Sequence, residues 1–254
     1  MRPLVVVCAL ALALPTLAQS AESPIVAAAK RTATAKTATF RMNVTTTIPG
    51  QGRTILTGSG AQRGTSAKLS MRTSVQGIAF TMDAILLNER GAYVMYMRSP
   101  VLRPQLPPGK SWVRLDLSKQ VGNLGIDFAS LVSVSQTFGP LVKGVVSTKR
   151  IGREVVAGKS ATHYRAVVDL RRAARAIPAF GKQVAAVERL TGVRLGRTPY
   201  DVWVGGDRRI RQLRFAQPTA AAGVRGTSVQ RITFLSFDQP VTIKAPPRAQ
   251  VASV

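Results

Sequence analysis

The stretch that decides the fold reads GREVVAGKSATHYRAVVDL over Gly152–Leu170 and, after a helical region, TPYDVWVGGDRRIRQLRF over Thr198–Phe215. Each part contains two β-rich runs separated by a turn. Gly158 lies where the first pair of runs must reverse, and glycine accepts the positive φ of a hairpin turn. Gly205–Asp207 separates the second pair. Two hairpins that flank a helical connection predict an α+β chain with an antiparallel sheet, not a series of βαβ units.

The connection between the two hairpins has an apolar stripe with spacings of three and four residues, which is typical of an amphipathic helix. Pro178 predicts that the region divides into two helices, and Gly192 predicts where the second one ends. The basic residues lie off the stripe. Such a helix can lie on an anionic membrane or can pack on the sheet with its charged face in water. The stripe consists of Leu170, Ala173, Ile177, Phe180, Val184 and Val187.

Before residue 100, apolar and polar side chains alternate over several segments, which is the period of half-buried β-strands. Phe40–Ile48 is the first of these, and the following segments predict a meander of antiparallel strands. Methionine adapts to irregular shapes, so a face lined by methionine suits acyl chains of varying length. An ordinary core packed by helices requires the same alternation. The five methionines after Met1 all lie in this region: Met42, Met71, Met82, Met95 and Met97.

Helix signals occur at two further places. Ser23 followed by Pro24 predicts the start of a short N-terminal helix. Asp127 predicts the start of a second helix over residues 128–137, and Gly139–Pro140 predicts its end. Near the C-terminus, Ile232 and Phe234 are out of phase with Leu235 and Phe237, which predicts a bulge or burial on both faces of that strand.

The amino-acid sequence of the two hairpins resembles the second half of LolA-like lipoprotein carriers, in the branch of LppX and LprG known from mycobacteria. The resemblance rests on a Gly-x-Glu-x-Val-x-Gly strand and turn from Gly152, then Thr162-His163-Tyr164, then Val168-Asp169-Leu170. After the helical region it continues with Asp201–Val204, a turn and an arginine-rich strand. The order and spacing of the segments follow the family over residues 22–250.

This resemblance implies a large curved antiparallel sheet, a half-barrel of about ten or eleven strands, with a few helices closing its concave side. It implies that an apolar cavity holds the acyl chains of a lipid or acylated molecule. The helix predicted after Asp127 is then a candidate plug. We expect the cavity lining to include Phe40, Met42, Val44, Leu69, Met71, Phe80, Met82, Met95, Met97, Phe128 and Leu131. Basic residues near the mouth, Arg98, Arg103 and Lys110, are candidates for holding an anionic headgroup.

Residues 1–20 have the pattern of a secretory signal: a charged start, an apolar run and small residues that offer a cleavage site between Ala18 and Ser20. We therefore expect an exported protein, in the periplasm, the cell envelope or the medium. Cys8, the single cysteine, follows Val5–Val7 with almost no apolar run before it, so lipid anchoring there is not expected. The remaining chain divides into one domain over residues 21–247 and a loose tail over residues 248–254, after Pro246–Pro247.

The chain carries 36 Lys and Arg against 11 Asp and Glu, a net charge of +25. This balance favours anionic partners such as an anionic membrane surface. Nucleic acid is not expected as a partner, because export separates the chain from it and no recognition motif is present.

No catalytic or metal site is expected. His163 is the single histidine, and one histidine without a mature cysteine cannot build a zinc site. A Ser160–His163–Asp169 triad fails on distance, because Asp169 lies about 20 Å from His163 along an extended strand. No dinucleotide or phosphate loop occurs, so no cofactor is predicted. We interpret the chain as a non-enzyme in which His163 has a structural role.

Two other functions fit the same sequence. One is a periplasmic sensory module that contacts a protein partner, which an apolar groove without an enclosed pocket favours. The other is a cell-envelope adhesion protein that binds acidic polymers through its charge, which strong salt dependence favours.

Overall fold

The computed structural model describes residues 22–75, 78–89, 92–117, 134–221 and 223–253. Within these ranges twelve strands form one open sheet. The strands are β1 (Thr37–Ile48), β2 (Gly52–Arg63), β3 (Ser66–Val75), β4 (Ile78–Glu89), β5 (Ala92–Arg98), β6 (Trp112–Asp116), β7 (Val145–Val156), β8 (Lys159–Asp169), β9 (Arg197–Gly205), β10 (Ile210–Ala221), β11 (Val224–Phe237) and β12 (Val251–Ser253).

The strand order across the sheet is β12-β6-β5-β4-β3-β2-β1-β11-β10-β9-β8-β7, so two meanders meet where β1 pairs with β11. All neighbours are antiparallel except β12 and β6, which are parallel. The predicted α+β class with a large antiparallel sheet is confirmed. The strand count exceeds the expected ten or eleven.

The tail is one reason for the higher count, and the expectation of a loose segment over residues 248–254 was wrong. Arg248–Gln250 forms a 3₁₀ turn, and the residues after it form β12. The Ser111 amide donates to the Gln250 carbonyl at 2.9 Å, next to the pairing of β12 with β6. The edge of β6 has backbone groups that require partners, and the tail supplies them.

Four helices occur in the described part of the chain: α1 (Pro24–Ala33), α2 (Val134–Gly144), α3 (Leu170–Ala176) and α4 (Pro178–Thr191). The predicted division at Pro178 and the stop at Gly192 are confirmed, since Gly192 has φ +63°. The Asp169 carboxylate caps α3 by accepting from the Arg172 amide at 2.9 Å. The stretch with the apolar stripe packs Leu170 and Val184 into the core, as expected for a helical region on the sheet.

The predicted break at Gly139–Pro140 was wrong, because α2 continues through both residues to Gly144. Phe138 and Leu141 are fully buried on either side of the proline. Burial of these two side chains outweighs the cost of a proline in the helix interior. Asp127 and the expected start of the helix lie outside the described residues.

Both predicted hairpins are present, with one difference. Gly158 has the expected positive φ of +78°, but in the second turn the positive φ belongs to Arg208, at +59°. The Gly205 amide donates to the Arg209 carbonyl at 2.9 Å, so the loop contains three residues. A three-residue hairpin commonly places its last loop residue in the left-handed region.

Of the two alternatives predicted for the strand near the C-terminus, a bulge or burial on both faces, the structure has the bulge. Phe40 of β1 pairs with Phe234 of β11, whereas the preceding Thr39 pairs with Ser236. Leu235 is therefore the additional residue. The bulge allows Phe234 and Phe237 both to be buried in the core.

The main core lies between the helices and the sheet half made of β8–β11 and β1. Ile25 of α1 and Phe138 and Leu141 of α2 are fully buried there with Val202 of β9. The rings of Phe138 and Phe234 are 5.5 Å apart. We call the sheet face that carries Phe234 and Val202 the helix-side face and the opposite one the outer face.

Candidate ligand-binding surface

The strand register places the predicted lining residues of β1–β5 on the helix-side face. Residues directly opposite each other in an antiparallel pair share a face, and Phe40 pairs with Phe234 of the core. Three rows follow from this register: Phe40, Gly60, Leu69, Ala84 and Met97; Met42, Gly58, Met71 and Met82; Val44, Leu56, Thr73 and Phe80. Met95 shares the same face through its pairing with Leu86.

The lining residues in these rows are half-buried, whereas several of their counterparts in the helix-covered half of the same face are fully buried. Val202 and Leu213, for example, are 0% and 2% exposed. A face of large apolar side chains that remains partly in contact with water retains hydrophobic free energy for binding. The half-buried lining residues are Phe40, Met42, Val44, Leu69, Met71, Phe80, Met82, Met95 and Met97. Phe128 and Leu131 lie outside the described residues.

Two glycines of β2 shape this surface. A Cβ at Gly60 would lie 2.6 Å from Phe40 Cζ and 3.0 Å from Leu69 Cδ1, and one at Gly58 would lie 3.0 Å from Met42 Cγ. Glycines inside a strand often mark a bulge, but β2 keeps an unbroken register with both neighbours. Their role is to leave room for side chains of β1 and β3 to lie over the β2 backbone.

The three candidate headgroup residues do not form one cluster on this surface. Arg98 lies on the outer face, because it pairs with Asp83, and its guanidinium contacts the Asp83 carboxylate at 2.7 Å. It also stacks 4.7 Å from the centre of the Trp112 ring. Arg103 and Lys110 lie in the connection between β5 and β6, where Arg103 begins a 3₁₀ turn and is exposed.

The outer face carries a buried polar network that the sequence interpretation did not find. His163 Nδ1 lies 2.8 Å from Glu154 Oε1, and its Nε2 lies 3.2 Å from Asp201 Oδ1. The imidazole stacks on Trp203 with ring centres 4.3 Å apart, and the Trp203 indole donates to Glu154 at 2.8 Å. A neutral imidazole can donate to one of the two carboxylates, and an imidazolium can donate to both.

Asp201 is the carboxylate that accepts hydrogen bonds from both arginines of this network. Burial alone would raise the pKa of the Asp201 carboxyl, but hydrogen bonds from Arg165 and His163 hold it below its ordinary value. Arg165 Nε donates at 2.9 Å, and an Arg214 amino group lies 3.2 Å away on the other carboxylate oxygen. The hydrogen bond from Trp203 likewise lowers the pKa of Glu154. Strand pairing between β8 and β9 brings Asp201 next to His163 and Arg165.

The Ser160–His163–Asp169 triad, which the sequence analysis rejected on distance, does not form. Asp169 caps α3, and the carboxylates that contact His163 are Glu154 and Asp201. Among the described residues, no group of His, Cys, Asp and Glu side chains is arranged to hold a metal ion. None of the described helices has the length and hydropathy needed to cross a membrane.

No protein-family profile and no curated protein matches this sequence. Among solved structures, the chain is similar to LprF from Mycobacterium bovis, with a TM-score of 0.51 and 15% identity over 88% of this chain and 95% of that one. It also aligns with the Mycobacterium tuberculosis lipoprotein LppX, with a TM-score of 0.38 and 12% identity over 87% of this chain and 100% of that one. The likeness to LprF shows that the chain shares the fold of that protein, as the resemblance implied.

Proposed function

We propose that this protein is an exported carrier that binds the acyl chains of a lipid or acylated molecule on the helix-side face of β1–β5. The observation that supports the proposal is the row of half-buried large apolar side chains, which continues the core face beyond the helices that cover it. The likeness in fold to LprF agrees with it, although a fold alone does not determine function.

The free energy of exposing an acyl chain to water determines how much apolar surface a carrier must provide. Exposing a 14-carbon acyl chain to water costs roughly 11 kcal/mol, at ~0.8 kcal/mol for each CH₂ group. A carrier must replace most of that burial during transfer. Methionine side chains with three rotatable bonds can adjust to chains of different length and branching. Met42, Met71 and Met82 lie in one row across β1, β3 and β4, beside the open backbone at Gly58.

Native mass spectrometry of the mature protein, purified without detergent, tests this proposal. We expect a discrete lipid mass that organic extraction removes. A clean apoprotein mass that persists after incubation with anionic lipid vesicles would contradict the carrier function and favour the sensory or adhesion function instead.

A pair of variants locates the binding surface. The double variant Met71→Gln, Met82→Gln replaces two directly paired apolar side chains on the helix-side face, and we expect it to lose at least ten-fold in bound lipid. The control is Ser74→Gln, an exposed position on the outer face of β3, which should retain lipid. Equal lipid retention by the double variant and the control would place the ligand elsewhere.

A further inference from the structure

We propose that the outer face of β1–β4 contains a binding site for a phosphate group, separate from the acyl-chain surface. A depression of about 340 Å³ lies there between Arg41 of β1 and Arg72 of β3. The two arginines share the outer face, because Arg41 pairs with Ser59, which pairs in turn with Ser70, and Arg72 pairs with Thr57 in the next row. This site does not depend on the carrier function, since it is on the opposite side of the sheet.

The two guanidinium groups are available to a ligand. Both side chains are exposed, and neither forms an ion pair, a hydrogen bond or a ring contact with any described residue. In contrast, the arginines around Asp201 and the one beside Asp83 are paired with carboxylates. An unpaired guanidinium presents a planar fork of donors that matches the oxygens of phosphate.

Besides Gly58 and Met71, the described residues that line the depression between the two arginines are serines and threonines. Ser59 and Ser70 face each other across β2 and β3, and Thr57 and Thr81 lie on the two sides of Arg72. The Thr57 hydroxyl donates to the Arg72 carbonyl at 3.4 Å, so the hydroxyl donors for a ligand are those of Ser59, Ser70 and Thr81. Hydroxyl groups donate to phosphate oxygens at little cost in desolvation. Among the described residues, no carboxylate lines the depression. The nearest acid in the same row, Asp83, is already bound by Arg98.

The spacing suits one phosphate group held from two sides. Arg41 and Arg72 stand two strands apart and two residues out of register, so their Cα atoms are separated by about 12 Å. Two extended arginine side chains can converge over the hydroxyl floor across that distance. The phosphate can belong to a soluble ester or to a lipid headgroup at a bilayer surface, because the guanidinium and hydroxyl donors recognise the same oxygens.

Titration of the full mature chain with inorganic phosphate, followed by amide NMR, tests the site. We expect saturable shifts confined to the amides around Arg41, Thr57, Ser59, Ser70 and Arg72. The double variant Arg41→Gln, Arg72→Gln should weaken binding by about 30-fold, the factor expected for two lost cations. The matched control Lys149→Gln, Arg153→Gln removes the same charge from exposed positions on β7 that form no ion pair with any described residue, and it should change affinity less than two-fold.

A parallel titration with vesicles of phosphatidylglycerol in phosphatidylcholine distinguishes the two sources of phosphate. Binding of both probes, lost in the Arg41/Arg72 variant, supports a site for soluble and lipid phosphate alike. Binding of vesicles alone, with the same loss, assigns the site to headgroups at a bilayer surface. Equal losses in the test and control variants, or no binding of either probe, would overturn the proposal. Lipid retention in native mass spectrometry reports on the acyl surface separately.

Discussion

At the scale of single residues, the network around His163 shows how one strand position acquires a role that no local pattern indicates. His163 is 7% exposed and Asp201 is 8% exposed, and each has hydrogen-bond partners on neighbouring strands. A buried carboxylate is tolerated only when donors replace the water it loses. The sequence interpretation assigned His163 a structural role, and in the structure its imidazole contacts Glu154, Asp201 and Trp203.

We expect Asp201→Asn to lower the free energy of unfolding by about 1.5–3 kcal/mol at pH 7, because it removes charged hydrogen bonds from Arg165, Arg214 and His163. The pKa of Asp201 is lower in the folded chain than in the unfolded one, so its stabilising effect is complete above pH ~5 and is lost as the pH falls through the lowered pKa. Urea unfolding from pH 7 to pH 2 measures both effects.

The difference between wild type and Asp201→Asn should therefore shrink towards zero at low pH. Glu22→Gln is the control, since its ion pair with Lys30 is exposed and should contribute less than ~1 kcal/mol. A constant difference across the whole pH range would contradict an electrostatic role for Asp201.

At the scale of elements, β2 is the strand in which side-chain size is most restricted. We expect Gly60→Ala to destabilise the fold by about 1–3 kcal/mol, because its Cβ would lie 2.6 Å from Phe40 Cζ and 2.8 Å from the Lys68 carbonyl oxygen. Gly152→Ala on β7 is the control, since its Cβ would meet no atom within 4 Å and should leave stability unchanged or slightly higher. Thermal unfolding compares the two variants. Equal unfolding temperatures would show that Phe40 and Leu69 can move aside freely.

At the scale of the whole molecule, the sheet has two unlike halves. The helices pack on β8–β11 and on the start of β1, around Ala38. Across β2–β5 the same face carries half-buried side chains. Local opening requires less free energy where fewer apolar contacts hold the strands together.

We expect backbone amides of β2–β4 to exchange with deuterium faster than those of β8–β10 in protein stripped of lipid. Reloading with the extracted lipid should slow exchange in β2–β4 and leave β8–β10 nearly unchanged, since ligand binding adds stability where it makes contacts. Mass spectrometry of proteolytic fragments measures this. Uniform slowing over both halves, or none, would contradict binding on the helix-side face of β1–β5.

The sequence alone determined the features that depend on residues a few positions apart. The alternation from Phe40, the turn at Gly158, the division at Pro178 and the bulge at Leu235 were all predicted, because strand period, glycine φ and the missing proline amide act locally. The resemblance carried by the two hairpins predicted the fold class.

The tertiary structure decided which distant residues meet. The pairing of β1 with β11 joins Phe40 to Phe234, β8 and β9 bring His163 to Asp201, and packing around Phe138 carries α2 through Pro140. The tertiary structure also places the tail in β12 and Arg98 on the outer face. These outcomes depend on strand order and register, and strand register is determined by packing over the whole sheet, which no segment contains.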